Sequence, residues 1–430
     1  MTTLERLFSL ETVGIKLGLE NIRSLTAALG HPERACPSVH VAGTNGKGSV
    51  SAMVERALRA QGYRTGLYTS PHLDRVEERI AINGIPIAPE PFDACARDVL
   101  ALVDALRADG RLPASPTFFE ATTAMAFEAF RRAGVQTAVV EVGLGGRYDA
   151  TNVVEPAASA ITSIDLDHER HLGRTLAAIA AEKAGIAKRG VPLVVGSLPP
   201  EAREVVRAAA DAAGAPMVDA ARFIHRFELS GGVATVWGAI RAGSFGPVRL
   251  GLRGGHQVAN AAVATALVDT LDARGLPVGV DSLVAGLSDV CWPGRLEWLT
   301  TRQGVLLIDA AHNPAGTAAL ASYLIDAGVA PLPVALAVME DKDLTGMVGP
   351  LVPVASRFVA TEARSARALP ADTLAARLVA LVPGVSVDLE PDPLRAAARA
   401  MAHGRGVAAG SIYFTGPLRA RLIEAGARSI

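Results

Sequence analysis

Cysteine is scarce in this chain, and charge of either sign is not in excess. Cys36, Cys95 and Cys291 are its only three cysteines, far apart and without a CxxC or Cys/His metal spacing. That argues against a disulfide framework or a zinc site, and implies a reducing compartment, with the cytoplasm as the expectation. A formal net charge of -1 over 430 residues supplies no general field for nucleic acid or an anionic membrane. A polyanion must therefore be held by a local site, which suits only a small one. No apolar run approaches the roughly 18 residues of a membrane helix, and Met1-Thr2-Thr3-Leu4-Glu5-Arg6-Leu7 lacks the basic and apolar regions of an export signal. Apolar residues, by contrast, make up 50% of the chain, enough for sizeable cores, and the length exceeds one ordinary core and implies two or three domains.

The most informative stretch is Val39-His40-Val41-Ala42-Gly43-Thr44-Asn45-Gly46-Lys47-Gly48-Ser49. A β-branched strand runs into a Gly/Thr/Asn turn, then Lys47, then a helix beginning near Val50. Glycines let successive N–H groups point inward, the helix N-terminus adds partial positive charge, and Lys47 adds a full one. A nucleotide triphosphate is the expected ligand, with Lys47 on its β- and γ-phosphates and Thr44 or Ser49 adding hydroxyl contacts. The spacing departs from G-x-x-x-x-G-K-[ST], because the first glycine is too close to Lys47 and Gly48 stands where a hydroxyl residue is usual.

Strand and helix signals alternate around this loop. A helical prelude covers residues 1 to 36, with Leu17, Leu19, Ile22, Leu25 and Leu29 at roughly helical spacing. Val50 to Gln61 reads as a helix and Arg64 to Thr69 as a strand. A charged loop follows from Asp74 to Gly84, then helices at about Pro91 to Ala108 and Phe118 to Ala133. Strands are expected at Thr137 to Gly143, Ala157 to Ile164 and Val191 to Gly196, with a helix at Thr175 to Ala187. Such alternation predicts an α/β fold: an N-terminal P-loop-type domain with a mostly parallel sheet. Phe223 to Leu252 reads as a small antiparallel addition, and Gly255 to Asn260 opens an Ala-rich helix. Trp292 to Arg295 makes the best linker. Beyond it, strands near Val305 to Asp309, Val334 to Val338, Phe358 to Thr361, Val385 to Leu389 and Ser411 to Phe414 predict a smaller, Rossmann-like C-terminal α/β domain. The expected domains are 1–292 and 295–430.

Several polar residues fall at predicted strand ends, where ligands bind in parallel sheets. Glu141 ends an Ala/Val strand and is a candidate metal carboxylate, or else the partner of a basic residue such as Arg147. His168 follows another buried strand, with Asp165, Asp167, Glu169 and His171 as rivals. Lys183, inside an amphipathic helix, reads on physical grounds alone as part of a solvated face. Asp309, His312 and Asn313 end a strand before Pro314; a helix cap accounts for Asn313 but not for the other two.

Together these residues resemble the folylpolyglutamate synthase/dihydrofolate synthase family, relatives of the cell-wall Mur ligases. The motifs are HVAGTNGKGS (40–49), SPHL (70–73), ERIAING (78–84), EVGLGGRYDATN (141–152), DHERHLG (167–173), EKAGI (182–186), HQVANA (256–261), PGRLE (293–297) and DAAHNP (309–314), in family order over nearly the whole chain. Gly48 is usual in this family, whereas Mur ligases carry Thr there. The resemblance implies two Mg²⁺ ions held by Ser70, Glu141, His168 and a carbamylated Lys183. It implies ATP held by Thr44, Asn45, Gly46, Lys47, Gly48, Ser49, Asn260, Arg295 and Asp309, sandwiched between the domains, with Lys47, Lys183, Asp309 and His312 as the catalytic set. The pterin-bearing substrate would lie near Thr117, Phe118, Phe119, Glu120, Tyr148, Asp149 and Ala150. Ala310 replaces a frequent family glycine, and Met339-Glu340 precede Asp341 where small or apolar residues are more usual.

The implied reaction is ATP-dependent joining of L-glutamate to dihydropteroate, to folates, or to both, through an acyl phosphate, by a monomer without nucleic-acid or membrane partners. Two other readings stay open at this point: a Mur-type ligase acting on a UDP-muramoyl peptide, and a nucleotide-binding regulator or ATPase that makes no amide.

Overall fold

The structure is a computed structural model that describes residues 2–14, 18–112 and 114–430, so Leu17 lies outside the described residues. The chain divides into two compact units. One takes in the chain up to Arg226 together with Trp237–Val248 and Ala259–Val290; the other comprises Phe227–Val236, Arg249–Val258 and Cys291–Ile430.

The first unit carries an eight-stranded sheet: β1 (Ser38–Ala42), β2 (Thr65–Tyr68), β3 (Ile80–Ile82), β4 (Ile85–Pro86), β5 (Thr137–Glu141), β6 (Ala158–Ile161), β7 (Leu193–Val195) and β8 (Met217–Asp219), in the order β4-β3-β2-β5-β1-β6-β7-β8. The run from β2 to β8 is parallel, and β3 and β4 add antiparallel at one edge. Both faces are covered, which is why every residue of β1 and β5 is buried, with no alternation between buried and exposed positions. One face packs on the helices Glu20–Ala28, Pro89–Ala108 and Phe118–Arg132, with Ile22, Val99, Phe127 and Val140 in the core. The other packs on Leu176–Ala184 and Pro200–Ala213 through Ile161, Ile179, Val195 and Val206. Central β1 lies between β5 and β6, with Val41 opposite Glu141 and Ala42 opposite Ile161. The turns leaving these three strands therefore meet at one sheet edge, at the kind of topological crevice where α/β sheets bind ligands.

A three-stranded antiparallel sheet follows, β9 (Ile224–Ser230), β10 (Val233–Ile240) and β11 (Gly243–Arg249), in the order β11-β10-β9. The second unit is built on β12 (Glu297–Thr300), β13 (Val305–Ile308), β14 (Leu332–Leu336), β15 (Ala355–Ala360), β16 (Ser386–Leu389), β17 (Arg405–Ala409) and β18 (Arg428–Ser429), ordered β16-β15-β14-β17-β13-β12-β18. Its strands from β16 to β13 are parallel, and β12 and β18 pair antiparallel. No helix of the described residues is long and apolar enough to cross a membrane.

Three expectations need correction. The stretch from Asp74 to Gly84 is not a loop: Val76–Arg79 is a 3-10 turn, and β3 and β4 form a hairpin on the sheet edge. Ile80 and Ile82 alternate at strand period, and Asn83-Gly84, both at positive φ (51° and 73°), make the turn that favours a tight hairpin. Ser411 to Phe414 is not a strand. The apolar run Gly406 to Ala409 is the strand, and Ser411 caps the helix Ile412–Glu424 by accepting the Tyr413 N–H at 3.2 Å. The helix after the phosphate loop begins at Lys47 rather than near Val50.

In the second unit, buried Glu297 anchors the start of β12. Arg419 grips it with two bonds, Nε to Oε2 at 2.7 Å and Nη2 to Oε1 at 2.9 Å, and the Gly294 N–H donates to Oε2 at 2.8 Å. Burial alone would raise the Glu297 pKa, but the Arg419 and Gly294 bonds outweigh it and hold the carboxyl below its ordinary range. This contributes stability that is fully present above the ordinary carboxylate pKa and lost as pH falls through the lowered one. Arg419→Met should therefore cost about 3 kcal/mol in urea unfolding at pH 7. The difference from the parent chain should shrink toward acid pH; a pH-independent difference would contradict this role for Glu297.

Candidate active site

The phosphate loop is held in a conformation only glycine permits at two places. Gly43 has φ 149° and Gly46 φ 85°. A Cβ on Gly43 would lie 1.9 Å from Thr162 Oγ1, and one on Gly46 would lie 2.3 Å from Asn260 Oδ1. The structure thus brings Asn260, expected at the nucleotide, to the loop. The turn after β6 braces the loop from the side. Thr44 N–H donates to the Ser163 carbonyl at 2.8 Å, Asn45 N–H to Ser163 Oγ at 3.0 Å, and Thr162 Oγ1 to the Asn45 carbonyl at 2.6 Å. Asp165 accepts from Asn45 Nδ2 at 3.1 Å. Asp165, a rival metal candidate in the sequence, thus acts as a brace. Thr162 and Ser163 were missed altogether, since nothing in one sequence links two loops more than a hundred residues apart.

Two lysines converge on one oxygen. Lys47 Nζ donates to the Gly43 carbonyl at 3.0 Å and to the Thr44 carbonyl at 3.1 Å, and Lys183 Nζ donates to the same Gly43 carbonyl at 2.8 Å. Lys183 is only 4% exposed, so the solvated-face expectation fails. Ile179, Ala180, Lys183 and Ala184 are the buried residues of their helix, a stripe at helical spacing that did include the lysine. Burial and then the Lys47 charge push the Lys183 pKa down to about 7, against the pull of Asp167, Asp149 and Asp165. Near neutral pH much of this amine is uncharged and nucleophilic.

Glu141 is buried and accepts the Ser70 N–H at 3.2 Å, so two of the four expected metal residues are in contact. Arg147 pairs instead with Glu182, at 3.8 Å. His168 has positive φ (53°), and its N–H donates to Asp167 Oδ1 at 2.8 Å. Among the described residues no three His, Cys, Asp or Glu side chains cluster as a metal centre. The expected set holds two of these residue types, Glu141 and His168, and gains a second carboxylate-like ligand only if Lys183 is carbamylated. With that change the donors are mainly oxygen, which fits the preference of Mg²⁺; an amine would not.

The expected substrate residues are partly committed elsewhere. Thr117 and Glu120 form a reciprocal cap on the helix Phe118–Arg132, at 2.7 and 3.0 Å. Phe118 is buried against Phe8, with ring centroids 5.4 Å apart, and under Arg79. Phe119 is half-buried 6.0 Å from Tyr68, and Ala150 is buried. A cavity of about 470 Å³ opens nearby, lined by Leu144, Arg147, His171, Leu172 and Glu182, and Tyr148 alone of the expected substrate residues lines it. Asp149 is buried, and its carboxylate accepts N–H groups of Leu144 at 2.8 Å and Thr151 at 3.0 Å. Burial pushes its pKa up, against those hydrogen bonds.

In the second unit Asp309 immediately follows β13. Its carboxylate accepts the Leu296 N–H at 2.9 Å and the Ala311 N–H at 2.8 Å. Burial raises its pKa while Arg295 and these bonds oppose the rise. His312 Nδ1 lies 2.9 Å from the Ala310 carbonyl; a carbonyl only accepts, so Nδ1 carries the proton. Asn313 caps the next helix by accepting the Gly316 N–H at 2.8 Å, as the cap reading required.

Comparison with known proteins gives the family. The Mur ligase middle domain matches residues 41–268, and the Mur ligase glutamate ligase domain matches 294–411. A dihydrofolate synthase/folylpolyglutamate synthase of Mycobacterium tuberculosis is 40% identical over 373 residues, 83% of this chain and 76% of that protein. A Mycobacterium tuberculosis folylpolyglutamate synthase complexed with ADP superposes with TM-score 0.90 at 35% identity, covering 98% of each chain. The E. coli FolC structure in complex with DHPP and ADP gives TM-score 0.85 at 28% identity, covering 99% of this chain and 98% of that one. With both Mur ligase domains matched and this likeness running nearly end to end, the chain belongs to the folylpolyglutamate synthase/dihydrofolate synthase family of the Mur ligases.

Proposed function

We propose that this chain joins L-glutamate to a pterin-bearing carboxylate, either dihydropteroate, a folyl-polyglutamate or both, using ATP and releasing ADP and phosphate. The observation that carries the proposal is the convergence of Lys47 and the buried Lys183 on the carbonyl of Gly43, inside a phosphate loop that opens a helix. A phosphate site alone would serve any nucleotide; a second, modifiable amine beside it suits phosphoryl transfer to a carboxylate.

A carboxylate resists amines because it has no leaving group. One of its oxygens therefore attacks the γ-phosphorus as the bond to ADP breaks, giving an acyl phosphate. The glutamate amine then attacks the acyl carbon, phosphate departs with the bond electrons, and the amine's proton is lost to form the amide. Lys47 and the N–H groups of the loop stabilise the charge on the moving phosphoryl group. Thr44, Asn45, Gly46, Gly48, Ser49, Asn260, Arg295 and Asp309 hold the nucleotide, and His312 orients phosphate or amine. Ser70, Glu141, His168 and carbamylated Lys183 would hold two magnesium ions, which when bound neutralise phosphate charge. Tyr148, Asp149, Ala150 and Thr117 to Glu120 contact the pterin-bearing substrate. In this proposal the enzyme acts as a monomer in the cytoplasm; the three free cysteines support a reducing compartment.

ADP release should require a pterin substrate and rise further with glutamate. Release stimulated by a UDP-muramoyl peptide and indifferent to dihydropteroate and tetrahydrofolate would refute the proposal. Lys47→Ala should lower amide formation by about 100-fold or more, and undiminished product from that variant would remove the phosphate-loop assignment. With ¹³C-bicarbonate, the parent chain should show a carbamate resonance that Lys183→Arg lacks. Because only the neutral amine attacks CO₂, that resonance should fade as pH falls below the Lys183 value of about 7. A signal identical in both chains, or in neither, would rule out the modification.

A further inference from the structure

His40 plays no part in the chemistry above, yet it sits fully buried on β1, three residues before Gly43. Its Nε2 lies 2.8 Å from Thr151 Oγ1, and the Thr151 hydroxyl donates to Asp149 Oδ1. A hydroxyl has one proton to give, so with that proton on the carboxylate the imidazole must donate through Nε2. Every bond in the chain then has a fixed direction, from ring N–H to hydroxyl to carboxylate. Burial, with the nearby Lys188 charge, keeps the ring neutral, its pKa lowered to about 3. Asp149 is the far end of this chain and gathers the Leu144 and Thr151 N–H groups as well.

The cost of the arrangement is visible on the other side of the ring. His40 Nδ1 has no hydrogen-bond partner among the described residues, and neither does Ser159 Oγ. Ser159 is the register partner of His40 on β6, so the two side chains share a face of the sheet. An apolar side chain would fill the slot without leaving a buried nitrogen unpaired. Stability alone therefore does not account for a histidine here.

We propose that His40 and Thr151 are positioning residues for the pterin substrate. Through Asp149 they tie the strand that carries the phosphate loop to the stretch that carries Tyr148, and so set the distance between acceptor carboxylate and transferred phosphoryl group. This assignment depends on Tyr148 to Ala150 contacting the pterin-bearing substrate, as proposed above.

The test is steady-state kinetics of the full chain with dihydropteroate and with tetrahydrofolate, varying the pterin at saturating ATP and then ATP at saturating pterin. Thr151→Val keeps the shape and removes the hydroxyl. It should raise the pterin KM about tenfold while the ATP KM stays within about twofold, and Thr151→Ser should restore the parent values. An unchanged pterin KM in Thr151→Val, or a parallel rise in both KM values that Thr151→Ser does not rescue, overturns the proposal. Tyr148→Ala separates the two levels. If it raises the pterin KM while Thr151→Val does not, only the positioning role falls; if neither does, the substrate assignment of this stretch falls too. Should Thr151→Val not fold, the ¹⁵N spectrum of His40 in the parent chain decides. Protonated Nε2 with bare Nδ1 supports the chain of bonds, and the opposite tautomer overturns it.

Discussion

One backbone oxygen, the carbonyl of Gly43, receives both Lys47 and Lys183, and the surrounding structure follows from making that possible. The residue must be glycine, because Thr162 stands where a side chain would be. Thr162 in turn is fixed by the pairing of β1 with β6. A parallel sheet with β1 at its centre is thus what places two amines, a helix N-terminus and a carboxylate-bearing strand end at one edge.

Two amines so close repel each other, and the protein resolves this unequally. Lys47 remains half-exposed at the mouth of the helix, while Lys183 is buried and its charged form disfavoured. The carbamylation proposed for this amine would exchange repulsion of Lys47 for attraction. Asp149, Asp165 and Asp167 supply negative potential around it. The buried His40–Thr151–Asp149 chain carries no net charge beyond its carboxylate, so it can link two loops without disturbing that balance.

Much of both units was legible in the sequence because the signals are local. The strand–glycine–helix pattern at 39–50, the apolar run ending in Glu141 and the cap at Asn313 each act over a few residues. What failed was contextual. Lys183 reads as surface until tertiary packing buries its stripe. The charged stretch 74–84 hides a hairpin whose Asn83-Gly84 turn was the readable sign. The strand at 405–409 was displaced by a few residues because Ser411 and Tyr413, which look extended, instead cap and open a helix. The braces Thr162, Ser163 and Asp165, and the His40–Thr151 bond, join segments more than a hundred residues apart, beyond the reach of periodicity.

The central claim is that the acceptor carboxylate is activated by direct phosphorylation, and an oxygen label tests it most directly. With dihydropteroate or a folate carrying ¹⁸O in the reacting carboxylate, turnover with ATP and glutamate should transfer one ¹⁸O into inorganic phosphate for each amide formed. Phosphate free of label, with amide still produced, would contradict the acyl phosphate and the role given to the phosphate loop.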